Sequence, residues 1–146
     1  MSRSPSRKGT SDSIWERTVL CAEAALDKKA TDIVLLDVRE HTSIADYFVI
    51  VSGRSDTQVR AIAEHVEDVC RKSGYRKLAV EGLRHGQWVL LDFGDVVVHV
   101  FYGPVRDFYD LERLWSEAPR RALPPSLTAL AAAASAASGD AVDGVR

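Results

Sequence analysis

Residues able to do chemistry fall in a few places along this chain. Ser52-Gly53-Arg54-Ser55 follows an apolar run and precedes a helical pattern, the setting in which backbone N–H groups at a positive helix end receive a phosphate. Nucleotidyl transfer at such a turn needs closely spaced carboxylates on a rigid strand to hold two cations. No D-x-D occurs. Asp110 and Glu112 stand two apart in a predicted helix and so face different ways, while Asp92 and Asp95 flank a turn. As an enzyme this site is incomplete.

The other candidates reduce to structural roles. Asp92-Phe93-Gly94 copies the metal-binding tripeptide of kinases, but neither a glycine-rich loop nor a catalytic loop accompanies it. His41, His65, His85 and His99 have no ligand-like spacing to each other or to Cys21 and Cys70. The two cysteines, far apart in sequence and each inside a helical pattern, read as reduced, buried thiols. Ser52 and Ser55 do not pair with these histidines as nucleophile and base. No catalytic residue, metal or cofactor is therefore expected.

What remains is surface chemistry. Trp88, Leu90, Tyr102, Arg106, Tyr109 and Trp115 lie within about thirty residues and are of the types that dominate protein interfaces. They belong to the stretch 87–115, on which the rest of the chain is organised. Trp88–Phe93 and Val96–Tyr102 are rich in β-branched and aromatic residues around the turn Asp92–Asp95, which predicts a hairpin. Alternation puts Trp88, Leu90 and Asp92 on one face and Val89, Leu91 and Phe93 on the other. Pro104 then opens a predicted helix running to Trp115. Its stripe Phe108, Leu111, Leu114 and Trp115 is expected in the core, leaving Arg106 and Tyr109 free to meet a partner.

The elements before this hairpin follow from periodicity. Trp15, Val19, Ala22 and Leu26 mark an amphipathic helix capped by Asp12 or Ser13. Residues 32–38 and 45–53 read as strands, and Ser55 with Gln58 forms a capping box for a helix whose buried stripe is Val59, Ile62, Ala63, Val66, Val69 and Cys70. Gly74 closes it, and 77–82 is a further strand. The order predicts an α/β single domain, a mixed sheet of about five strands with flanking helices, over 13–117. Residues 1–12 and the alanine-rich 118–146 are expected to be disordered tails.

Composition narrows the partner. The chain has 146 residues and a formal net charge of −2, but 13–116 alone holds 13 basic against 17 acidic side chains. Such a domain is not built to grip nucleic acid by its phosphates and suits a basic protein instead. No apolar run of about 18 residues occurs, and the polar N-terminus has no signal-peptide core, so no membrane partner and a cytoplasmic location are expected.

Several stretches together resemble the Iojap-related ribosomal silencing factors: ADYFVIVSGRSDTQVRAIA at 45–63, VEG at 80–82, and W-x-L-x-D-x-G-D-V-V-V-H-V-F with R-x-F-Y-x-L-E-x-L-W between 88 and 115. The resemblance covers about 13–116 and departs locally at Glu40-His41. It implies a nucleotidyltransferase-like fold without catalytic carboxylates, which agrees with the incomplete site above. It also implies binding to large-subunit ribosomal protein fourteen on the large ribosomal subunit, steric blocking of small-subunit joining when nutrients are short, and a homodimer when free. On this resemblance the contact candidates are Trp88, Leu90, Asp92, Tyr102, Arg106 and Tyr109. Two other readings stay open: a dimeric adaptor unrelated to ribosomes, and a transferase using Ser52–Ser55.

Overall fold

The computed structural model describes residues 11–145. The tail expected over the first residues lies, up to residue 10, outside them. Helix α1 spans Ser11–Asp27, so Asp12 and Ser13 lie within its first turn. Strands β1 (Thr31–Asp37) and β2 (Tyr47–Gly53) follow and pair antiparallel. Helix α2 occupies Asp56–Lys72, and the Ser55 side chain accepts from the Gln58 backbone N–H as the sequence predicts. The Gln58 side-chain Oε1 accepts from the Arg54 N–H and closes the cap. Gly74 ends the helix at a φ of +88°.

Strands β3 (Ala79–Glu81), β4 (Trp88–Asp92) and β5 (Val96–Tyr102) form an antiparallel meander. Asp92 Oδ1 accepts from the Gly94 N–H inside the hairpin turn, where Gly94 has a φ of +92°. β5 then returns beside β2 in parallel, and with the short β6 (Arg120–Arg121) the sheet has six strands in the order β3-β4-β5-β2-β1-β6. The mixed α/β architecture expected from the sequence is present, with one more strand.

Strand alternation splits the core into two layers. Tyr47, Val49, Val51, Val89, Leu91, Val98 and Val100 face α1 and α2, whose Cys21, Ala25, Val59, Ile62 and Val66 fill the space above them. Leu36, Phe48, Ile50, Val97 and Phe101 face the opposite way, where Leu111 and Val105 of a short α3–α4 segment pack with Val38, Ala45, Trp115 and Ala118.

That segment corrects the expected single helix at 104–115. Helix α3 (Gly103–Tyr109) stops at Asp110, which takes a left-handed φ of 50° and ψ of 52°, and α4 is the single turn Leu111–Leu114. The break rotates the predicted stripe out of register. Leu111 stays buried and Trp115 half-buried, but Phe108 and Leu114 are 80% and 76% exposed.

The segment after 117, expected as a tail, makes contacts with the domain. The Asp37 N–H donates to the Pro119 carbonyl, Arg120 and Arg121 pair with Leu36 and Leu35, and helix α5 runs over Pro125–Val145. Leu127, Ala131 and Ala134 recur at spacings of four and three and pack on Leu26 and Ile33. That contact anchors the first turns of an alanine-rich helix that has no packing partner of its own.

Candidate functional site

The face that α1 and α2 do not cover carries a continuous run of aromatic rings. Trp88 and Leu90 lie on it half-buried, opposite Phe101 and His99 of β5. Trp88 stacks on Phe101 with ring centroids 4.7 Å apart, and its indole N–H donates to His99 Nδ1 at 3.2 Å. Tyr109 lies against Trp88 at 5.0 Å, and Phe108 meets Tyr109 edge-on at 5.1 Å. Inward, His99 and Trp115 each meet Phe48 edge-to-face at 5.0 Å. The rings therefore pass from exposed Phe108 to half-buried Trp115 with no gap.

A largely apolar groove of about 510 Å³ opens beside Trp88, between the 82–88 segment and α3, lined by Gly82, His85, Val105, Phe108 and Tyr109. Gly82 is obligatory in its wall. At its φ of +86° an added Cβ would stand 2.0 Å from the Trp88 carbonyl oxygen, which is backbone and cannot yield. The third residue of the VEG motif thus sets how closely this segment approaches β4.

His99 sits beneath the run, 4% exposed, and burial pushes its pKa down to about 4. It is therefore neutral at pH 7. Because Nδ1 accepts from Trp88, the ring hydrogen is on Nε2, which has no hydrogen-bond partner among the described residues. Its role is to orient the indole.

The six predicted contact residues divide. Trp88, Leu90 and Asp92 share the aromatic face, and Tyr109 joins them from α3 at 52% exposure. Tyr102 does not: alternation along β5 turns it to the helix-covered side, where it packs half-buried against that layer. Arg106 is 7% exposed and works inside the molecule. Its Nη1 donates to Ser52 Oγ and to the Asp32 carbonyl, each at 2.7 Å, while Nε and Nη2 grip Glu112 at 3.2 and 2.9 Å. The guanidinium holds the Glu112 carboxyl below the usual carboxylate range. Arg106 thereby ties the ends of β1 and β2 to both sides of the break at Asp110, and so places Tyr109 over Trp88.

The same bonds engage groups of the predicted phosphate turn. Ser52 Oγ receives Arg106, Ser55 Oγ caps α2, and the Arg54 N–H is held by Gln58. The neighbouring polar hollow of about 480 Å³ is lined by Asp32, Asp107 and Glu112 against an Arg106 already bonded, a poor setting for an anion. Among the described residues no cluster of three His, Cys, Asp or Glu side chains is placed to hold a metal, and no helix is long and apolar enough to cross a membrane.

Sequence reasoning missed Phe108, His99, Phe101 and Phe48 as members of this surface. The signal for the β5 pair was available in its alternation with the hairpin partner; the signal for Phe108 was not, because it depends on the left-handed Asp110.

A family model described as ribosomal silencing factor during starvation matches residues 11–144. The chain is 46% identical over 100 residues to the ribosomal silencing factor RsfS of Bacillus subtilis, covering 68% of this chain and 85% of that protein. It is 40% identical over 106 residues to the chloroplastic protein Iojap of Zea mays, covering 73% of this chain and 46% of that longer protein. A crystal structure of a Chromobacterium violaceum protein superposes with a TM-score of 0.70 at 42% identity, covering 70% of this chain and 86% of that one. One from Bacillus halodurans gives 0.68 at 39%, covering 75% and 99%.

Proposed function

The chain belongs to the ribosomal silencing factor family, and from that premise we propose that it silences translation by occupying the large ribosomal subunit through ribosomal protein fourteen. Bound there, it keeps the small subunit from joining. The observation that carries this reading is the aromatic face itself: the exposed rings of Tyr109 and Phe108 and the half-buried ring of Trp88 in contact with one another beside an apolar groove. Solvated aromatics in contact with one another mark a surface made to be covered. When the chain is free, a second copy covers the same rings, so dimerisation and ribosome binding compete. The protein works in the cytoplasm, on subunits that have not yet joined.

Stoichiometric protein added to purified subunits should abolish the joined-ribosome peak on a sucrose gradient and should itself travel with large subunits alone. Tyr109→Ala should restore most of that peak without unfolding the chain, because the ring is half in solvent and truncating an interface aromatic costs about 2 kcal/mol of binding. Unchanged subunit joining with the unmodified protein would leave the fold in place and remove this function.

A further inference from the structure

Behind the sheet, on the side away from the aromatic face, the two cysteines that the sequence reading kept apart meet. Cys21 of α1 and Cys70 of α2 place their sulfurs 3.6 Å apart, and both side chains are fully buried and free. A disulfide needs about 2.05 Å between sulfurs, so a modest side-chain rotation with a small approach of the two helices closes it. We propose that Cys21 and Cys70 are a reversible dithiol–disulfide pair that straps α1 to α2, oxidised by hydrogen peroxide and reduced by a dithiol.

The two sulfurs share one hydrogen bond, in which either S–H can be the donor. The Arg17 guanidinium, one turn before Cys21 on α1 and set over the Tyr75 ring at 4.2 Å, adds a positive field felt by both sulfurs. The sulfur that accepts is the nucleophile. Its thiolate attacks one oxygen of hydrogen peroxide, the O–O bond breaks, and the departing hydroxide takes a proton to leave as water, giving a cysteine sulfenic acid. The other cysteine loses its proton and attacks that sulfur, the S–O bond breaks, and hydroxide leaves with the proton as a second water. Two thiols give up two electrons and two protons, and one peroxide becomes two waters.

Burial sets the rate. The pair reacts only with an oxidant small enough to enter, or when α1, the first described element, opens from α2. Once closed, the bond links residues 49 apart, a loop long enough for a cross-link to remove much of the unfolded chain's freedom.

The full chain, reduced and then exposed to hydrogen peroxide, should be unfolded in an alkylating agent and weighed. The expected product is a monomer about 2 Da lighter than the reduced chain, carrying no alkyl group, with a melting temperature raised by about 5 °C or more and returned by dithiothreitol. Two alkyl groups, oxygen additions without cross-linking, or disulfide-linked dimers would each overturn the proposal.

Discussion

Trp88 and His99 depend on each other in a way that pH exposes. The indole N–H is directed by an imidazole that must stay neutral to accept it, and burial keeps it neutral. A histidine whose folded pKa lies near 4 and whose unfolded pKa lies near 6.5 binds its proton more readily in the unfolded chain. Its contribution is therefore fully present above about pH 6.5 and is lost as pH falls from there toward 4. Between pH 7 and pH 5 the linkage is worth about 2 kcal/mol. His99→Gln keeps an acceptor for the indole and removes the titration. Denaturant unfolding at both pH values should show the unmodified chain losing about 2 kcal/mol more than this variant. Equal losses would mean that His99 is solvated and the indole is held by stacking alone.

At the scale of elements, the break at Asp110 decides which aromatics face solvent. Left-handed backbone costs a residue with a Cβ roughly 1 kcal/mol, and aspartate is among the few that take it readily. Asp110→Gly should leave stability within about 0.5 kcal/mol, because relief of that strain offsets the greater freedom of glycine in the unfolded chain. Asp110→Val should cost about 2 kcal/mol and draw Phe108 toward the sheet as α3 tries to continue. Denaturant midpoints test the first effect, and quenching of Trp88 fluorescence by iodide the second. The same break explains what could be read from sequence. The Ser55 cap, the α2 stripe and the Asp92–Asp95 hairpin were legible because each rests on residues adjacent in the chain or at one fixed period. The α3–α4 kink was not, since Arg106 fixes it through Ser52 and Asp32, more than fifty residues away. An arginine in a surface-looking helix gives no sign that it is buried.

At the scale of the whole molecule, the candidate surface was half legible. Trp88, Leu90 and Asp92 follow from the pleat of one strand, whereas Tyr102 was lost to the opposite face by the same alternation carried across the hairpin. The ordered C-terminal segment was hidden because its stabilising contacts, Leu127 and Ala134 on Leu26 and Ile33, are tertiary. Charge, by contrast, is a global property and reads directly. Residues 13–116 carry a net of −4, and with Arg106 buried against Glu112 the exposed or half-exposed charges close to the aromatic run include the acidic Asp92, Asp107 and Asp110. An acidic domain approaching a basic protein is steered by long-range attraction, which salt screens over about 10 Å at 0.1 M and about 3 Å at 1 M. The association rate with isolated ribosomal protein fourteen should therefore fall about tenfold between 50 mM and 500 mM salt, while the dissociation rate, set by the desolvated rings, stays nearly constant. Asp92→Asn should flatten that dependence, and Arg106→Lys should not, because Arg106 carries no charge to the rim. Stopped-flow binding across the salt series measures both. A salt-independent association rate would mean that the partner meets the rings without electrostatic guidance, and the acidity of the domain would then serve solubility alone.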